Sequence, residues 1–135
     1  MSEIQFSQIF TKKSLETIFP KERSDQFFEN LYGDSSEGAY DIRLEFSGYK
    51  DDSLNFEFHL IQRPGKCLAC NLTYGLPQVF VRHPVINIKG MIEDFGNLLK
   101  GRATCGIWEI GRTKEVSNKL HIVPLVVSIQ NGIMV

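Results

Sequence analysis

Cysteine is scarce in this 135-residue sequence: Cys67, Cys70 and Cys105 are the only three, too few and too unevenly placed for a disulfide framework. That usage fits a reducing compartment, and a cytoplasmic location is the expectation. The first residues hold no basic segment leading into an apolar one, so no secretory signal is expected. No apolar run approaches the roughly 20 residues that span a bilayer, so no membrane is expected as a partner. An excess of one charge is lacking too: 15 Lys and Arg face 16 Asp and Glu, a net charge of −1. Tight nucleic-acid binding draws on surplus cations, so nucleic acid is not an expected partner. Glycine-rich phosphate loops of the G-x-x-x-x-G-K or G-x-G-x-x-G kind are absent, and no Ser/His/Asp arrangement suggests itself. An enzyme is therefore the less expected class.

What the sequence does have is apolar material for one core: 42% hydrophobic residues and 10 phenylalanines. A chain of this length can bury roughly two-thirds of its unfolded surface, so one α+β domain over residues 1–135 is expected without metal or disulfide support. Its charge is mildly split. Residues 1–66 carry 8 basic and 12 acidic side chains, residues 67–135 carry 7 and 4. Halves of opposite sign favour contact within the fold or in a homodimer.

The first 33 residues have helical spacing. Phe6, Ile9 and Phe10 fall at i, i+3, i+4, and Leu15, Ile18 and Phe19 repeat the pattern. Pro20 interrupts, so two short helices are expected, the second stopping at Gly33. From Tyr40 the period becomes 2: Tyr40, Ile42, Leu44 and Phe46 alternate with polar residues. After a turn at Gly48–Ser53, Leu54, Phe56, Phe58 and Leu60 do the same. This predicts an antiparallel hairpin with one apolar and one polar face, His59 and Ile61 lying on the polar side. Residues 62–84 hold three prolines and two glycines, with a third strand expected near Leu68–Tyr74 and a short extended piece near Val79–Arg82. Ile88, Met91, Ile92, Phe95, Leu98 and Leu99 then mark an amphipathic helix, capped by Asn87 and stopped by Gly101. A second hairpin, Ala103–Gly111 and Leu120–Ile129, completes the order; Pro124 within it suggests an edge strand or a bulge. The fold class expected is α+β, an antiparallel sheet of two hairpins with the helices on one face.

Cys67 and Cys70 form a C-x-x-C in the proline-rich loop. Two thiolates so spaced can grip one tetrahedral ion, and His83, 12 residues after Cys70, extends the pattern to a candidate zinc site of Cys67, Cys70 and His83. A two-histidine finger does not fit, because Asn87 stands where the second His belongs and Pro84 would break the ligand-bearing helix. A fourth ligand would come from Cys105, His121 or His59. Thiol–disulfide exchange is the second chemistry open to the pair, with Lys66 beside it, although no strand-to-helix context lowers a thiol pKa there. Plain packing of both thiols in a structured loop is the third. Cys105 is expected to be a small buried hydrophobe, and His121 a satisfied, partly buried histidine sharing a face with Val123 and Leu125. Asp34, Glu37 and Asp41 are expected to be turn and surface residues, and Arg112, Lys114 and Lys119 the basic tip of the second hairpin.

The segments LYGDSSEGAYDIRLEF (31–46), QRPGKCLACNLTYGLPQVFVRHPVINI (62–88) and EVSNKLHIVPL (115–125) resemble a family of small uncharacterised bacterial proteins, some labelled pancreas/duodenum homeobox. The resemblance implies a bacterial protein and transfers no catalytic residue. The homeobox label finds no support, since a homeodomain needs a basic helix with a W-F-x-N-x-R core and Trp108 lies in a predicted strand. In element order alone the chain is similar to the small dimeric chaperones of type III secretion, which implies a dimer that binds protein. Three functions remain open: a small binding module whose Cys-x-x-Cys loop holds zinc or another thiophilic metal, a non-catalytic dimeric interaction or chaperone-like domain, and a thiol redox protein.

Overall fold

The computed structural model describes residues 6–33, 40–65, 76–100 and 103–131. Its elements are α1 (Phe6–Ile9), α2 (Lys12–Ile18), α3 (Glu22–Tyr32), β1 (Tyr40–Lys50), β2 (Ser53–Gln62), α4 (Leu76–Arg82), α5 (Ile88–Leu99), β3 (Ala103–Ile110), β4 (Lys114–Ser117) and β5 (Leu120–Asn131). The fold is α+β, as the blocks of period 3.6 and period 2 require.

Among the described residues three helices, not two, precede the sheet. Thr11 breaks the first run: its backbone is extended, and its hydroxyl accepts from the Ser14 amide at 3.1 Å, capping α2. Phe19 closes α2, and after Pro20 α3 runs to Gly33, whose φ of 81° places it in the left-handed region. Asn87 caps α5 through the Gly90 amide, as expected. Its C-cap is Lys100, at φ 52°, rather than Gly101, which lies outside the described residues.

β1 and β2 pair antiparallel, joined by Asp51 and Asp52, both at positive φ. Two left-handed central residues make the primed turn whose twist matches that of the strands. β5 is the hub of the five-stranded sheet, in the order β1-β2-β5-β3 with β4 also on β5. The expected edge position of Pro124 is therefore corrected. Pro124 lies in a central strand, opposite Glu57 of β2, and its carbonyl accepts from the Gly111 amide at 2.9 Å. In an antiparallel strand the N and C=O of one residue face the same neighbour. The missing N–H of Pro124 thus faces the 111–113 break between β3 and β4, where no ladder acceptor waits. β4 itself occupies part of what the sequence suggests is a plain polar turn.

The extended piece expected at Val79–Arg82 is helical instead. Pro77 suits a first helical turn, and the helix delivers Phe80, fully buried, edge-on to Phe27 at 5.6 Å and Phe58 at 5.1 Å. The strand expected near Leu68–Tyr74 lies outside the described residues.

One face of the sheet carries the core. Tyr40, Ile42 and Leu44, then Leu54, Phe56, Phe58 and Leu60, then Val123, Leu125, Val127 and Ile129 are all buried. Aromatic rings from every helical segment meet that face: Phe10 and Phe95 on Phe56, Phe19 and Phe80 on Phe58, Phe28 on Tyr40. The Phe56–Phe95 pair is stacked, with centroids 4.2 Å apart. His121 shares this face at 2% exposure, more deeply buried than expected.

Along the β1 edge, Ser24 of α3 is fully buried and bridges one residue twice. Its hydroxyl accepts from the Ile42 amide at 2.8 Å and donates to the Ile42 carbonyl at 3.2 Å. Both ladder groups that would otherwise template another strand are occupied. Arg63, just after β2, locks the same corner through Asp25 of α3 at 2.7 Å and Asp41 of β1 at 3.1 Å, its guanidinium over the Phe28 ring.

Candidate interaction surface

With the described helices all on one side, the other face of the sheet is built from the alternate residues of each strand. Its centre is apolar. Ile122, Pro124 and Val126 of β5 and Ile61 of β2 lie there, each partly exposed. Register fixes their surroundings: His59 opposes Ile122, Glu57 opposes Pro124, and Asn55 opposes Val126. On β1, Asp41, Arg43 and Glu45 oppose Ile61, His59 and Glu57. On the far side Lys114 opposes Ile122 and Glu109 opposes Val126. Among the described residues no helix packs on this face.

Two bulges lie along the strands that border the apolar area. Cys105 opposes Ile129 and Trp108 opposes Val127, so Gly106 and Ile107 share the single position of Ser128. Glu115 opposes His121 and Ser117 opposes Leu120, which leaves Val116 as an extra residue. A bulge re-aims side chains, and these two residues are the result: Ile107 is 81% and Val116 58% exposed. An exposed aliphatic side chain at each of two irregularities around an apolar stripe is an arrangement that isolated monomers rarely keep.

The charges on the face are only partly settled. His59 Nε2 and Glu57 Oε1 are 2.9 Å apart. Glu45 stands directly opposite Glu57, an unfavourable like-charge pairing, and among the described residues no cation lies within ion-pair distance of Glu45.

Of the sequence-predicted zinc ligands, Cys67 and Cys70 lie outside the described residues, and His83 lies at the junction of α4 and α5. Its ring packs on Phe27 with centroids 4.6 Å apart, and its Nδ1 accepts from the Val85 amide at 3.2 Å. An amide can only donate, so the neutral ring carries its proton on Nε2. Metal ligation by His83 would have to displace the Val85 bond or that proton. Partial burial lowers the His83 pKa from its ordinary value, and Arg82 lines the same shallow depression. Among the described residues no group of three His, Cys, Asp or Glu side chains is gathered as a metal site. His59 lies on the open face and His121 on the core face, so the two are not brought together as ligands. Cys105 is half-buried against the core, and burial pushes its thiol pKa up, which keeps it protonated.

A cleft of about 500 Å³ opens beside the β1 edge, with Phe19, Ile42 and Ile61 among its lining residues. Lys12, Lys21 and Arg43 in its walls are matched by Glu16, Glu22 and Asp41, so it offers no single sign of charge to a ligand. Among the described residues no helix is long and apolar enough to cross a membrane.

The open face was legible in part. Ile61, Ile122 and Val126 are apolar residues at positions that alternation assigns to the polar side. Ile107 and Val116 gave no such signal, because their exposure comes from bulges in pairing. No family model, no curated protein and no solved structure matches the chain.

Proposed function

We propose that this chain is a non-catalytic protein-interaction domain whose contact surface is the helix-free face of the sheet. One observation carries the reading: a contiguous stripe of Ile61, Ile122, Pro124 and Val126, flanked by the exposed Ile107 and Val116, on a face that the described helices leave bare. Contiguous exposed apolar surface rimmed by charge is the usual mark of a protein-binding site. The rigid, aromatic-packed core behind it supplies a stiff platform that changes little on binding.

The test is a photo-reactive phenylalanine analogue placed at Val126 in cells that produce the protein, with the same probe at Gln26 on the exposed side of α3 as control. Discrete protein adducts from position 126, absent from position 26 and abolished by Ile122→Glu, are the expected result. An adduct pattern identical at both positions, or none at 126, would overturn the assignment.

A further inference from the structure

Beyond that reading, and at a different surface, we infer that the outer edge of β3 pairs with the β3 of a second copy. The two strands run antiparallel about a twofold axis normal to the sheet, so that two sheets join edge to edge into one. The two outer edges of the sheet differ. On β1 the amide and carbonyl of Ile42 are taken by Ser24. On the other side, the bond from Gly111 to Pro124 shows that the even-numbered residues of β5 turn their backbone groups toward β3. Their partners Glu109 and Thr104 therefore bond inward. Ala103, Cys105, Trp108 and Ile110 oppose odd-numbered residues, so their amides and carbonyls point away from β5, and among the described residues nothing bonds to them. Neither lysine nor proline, two usual guards of an exposed edge, occurs in Ala103–Ile110.

Register and side-chain size both select a second copy as the occupant. The bulge at Gly106 and Ile107 shifts the outward residues from odd to even numbers, which makes the set symmetric about the point between those two. An antiparallel copy centred there sets Cys105 opposite Trp108 and Ala103 opposite Ile110, so that all four outward residues are paired. Every other antiparallel register of β3 on itself pairs at most two of them. A bulge ordinarily turns an incoming regular strand away, but in this register the extra residue of one copy falls beside that of the other. The same register matches bulk. The strand reads Ala-Thr-Cys-Gly and then Ile-Trp-Glu-Ile, four small residues followed by four large ones. Each large side chain of one copy meets a small one of the other: Ile110 meets Ala103, Glu109 meets Thr104, Trp108 meets Cys105 and Ile107 meets Gly106. Ile107, at 81% exposure, thereby lies next to the axis and opposite a glycine that leaves it room. Self-complementarity of this kind is what a twofold interface requires.

The experiment is light scattering of the full-length purified chain over about a hundredfold dilution, since a dimer must dissociate by mass action. The expected mass at high concentration is twice 15.4 kDa. Gly106→Ile is expected to raise the dissociation constant about tenfold or more, because it sets bulk against the Ile107 of the second copy. Within its own chain a Cβ at Gly106 meets only the Ser128 carbonyl oxygen, at 3.6 Å, an ordinary contact that leaves the fold intact. The swapped variant Gly106→Ile/Ile107→Gly restores one large residue against one small one and should regain most of the affinity. Register is read by Thr104→Cys/Glu109→Cys under mild oxidation. Both positions are exposed and lie roughly 13–16 Å apart along one strand, too far to bridge within a chain. A covalent dimer whose linked peptides join 104 to 109 is the expected product. A monomer at every concentration, a dimer indifferent to Gly106→Ile, or a dimer that yields no such link overturns the inference. The in-cell probe at position 126 reports on another face, so either proposal can fail while the other stands.

Discussion

Gly111 and Pro124 are fitted to each other at the centre of the sheet. The Gly111 amide donates to the Pro124 carbonyl at 2.9 Å, and the proline ring fills the space a side chain on residue 111 would need. A Cβ at Gly111 would come within 2.7 Å of Pro124 Cγ. The pair explains how a proline sits in a strand bonded on both sides: its missing donor faces the interruption between β3 and β4, and Gly111 admits the ring.

Gly111→Ala is therefore expected to destabilise the fold by about 1–3 kcal/mol through overpacking. Pro124→Ala in that background should recover part of the loss, a coupling that a double-mutant cycle of denaturant unfolding measures. Strict additivity of the two substitutions would show that the ring and the glycine are independent.

Ser24 makes a second prediction. Ser24→Ala leaves the buried amide and carbonyl of Ile42 without their shared partner, a cost of about 1–3 kcal/mol. Hydrogen exchange at the Ile42 amide should accelerate beyond what the global loss of stability explains. Unchanged protection of that amide in the variant would contradict the role assigned to the hydroxyl at the sheet edge.

His83 makes a third. Burial lowers its pKa in the folded chain below the ordinary 6.5, so the unfolded chain takes up the proton more readily. Its neutral form thus supports the fold fully above about pH 6.5, and the support is lost as pH falls through the folded-state pKa. Asn at this position can offer an oxygen to the Val85 amide without titrating near neutrality. The difference in Tm between the native chain and His83→Asn should accordingly shrink as pH drops from about 7.5 to about 5. A difference independent of pH would show that the ring acts through packing on Phe27 alone.

What could be read from the sequence follows from which signals are local. Alternation along Tyr40–Phe46 and Leu54–Leu60 fixed both faces of the first hairpin, since a half-buried strand has no other solution at period 2. Gly33 and Asn87 marked helix ends for reasons internal to their own turns. The rest depended on partners distant in sequence. β4 has no buried residue of its own and exists because β5 offers it a ladder. Pro124 suggests an edge when read alone and becomes a tolerated interior residue only beside Gly111. Val79–Arg82 reads as extended because its β-branched valines weigh against a helix, yet burial of Phe80 between Phe27 and Phe58 outweighs that local preference. The candidate surface was half visible for the same reason. Its central residues break the alternation, whereas its most exposed ones are products of bulges.

Carbene footprinting of the chain, read at Ile122 and Val126 in lysate of the producing cells and again after purification, tests the central claim most directly. Occupation of the helix-free face by a protein partner predicts strong protection of both residues in lysate and release on purification, while the exposed Lys89 of α5 labels equally throughout. Equal labelling of Ile122 and Val126 under both conditions would contradict it.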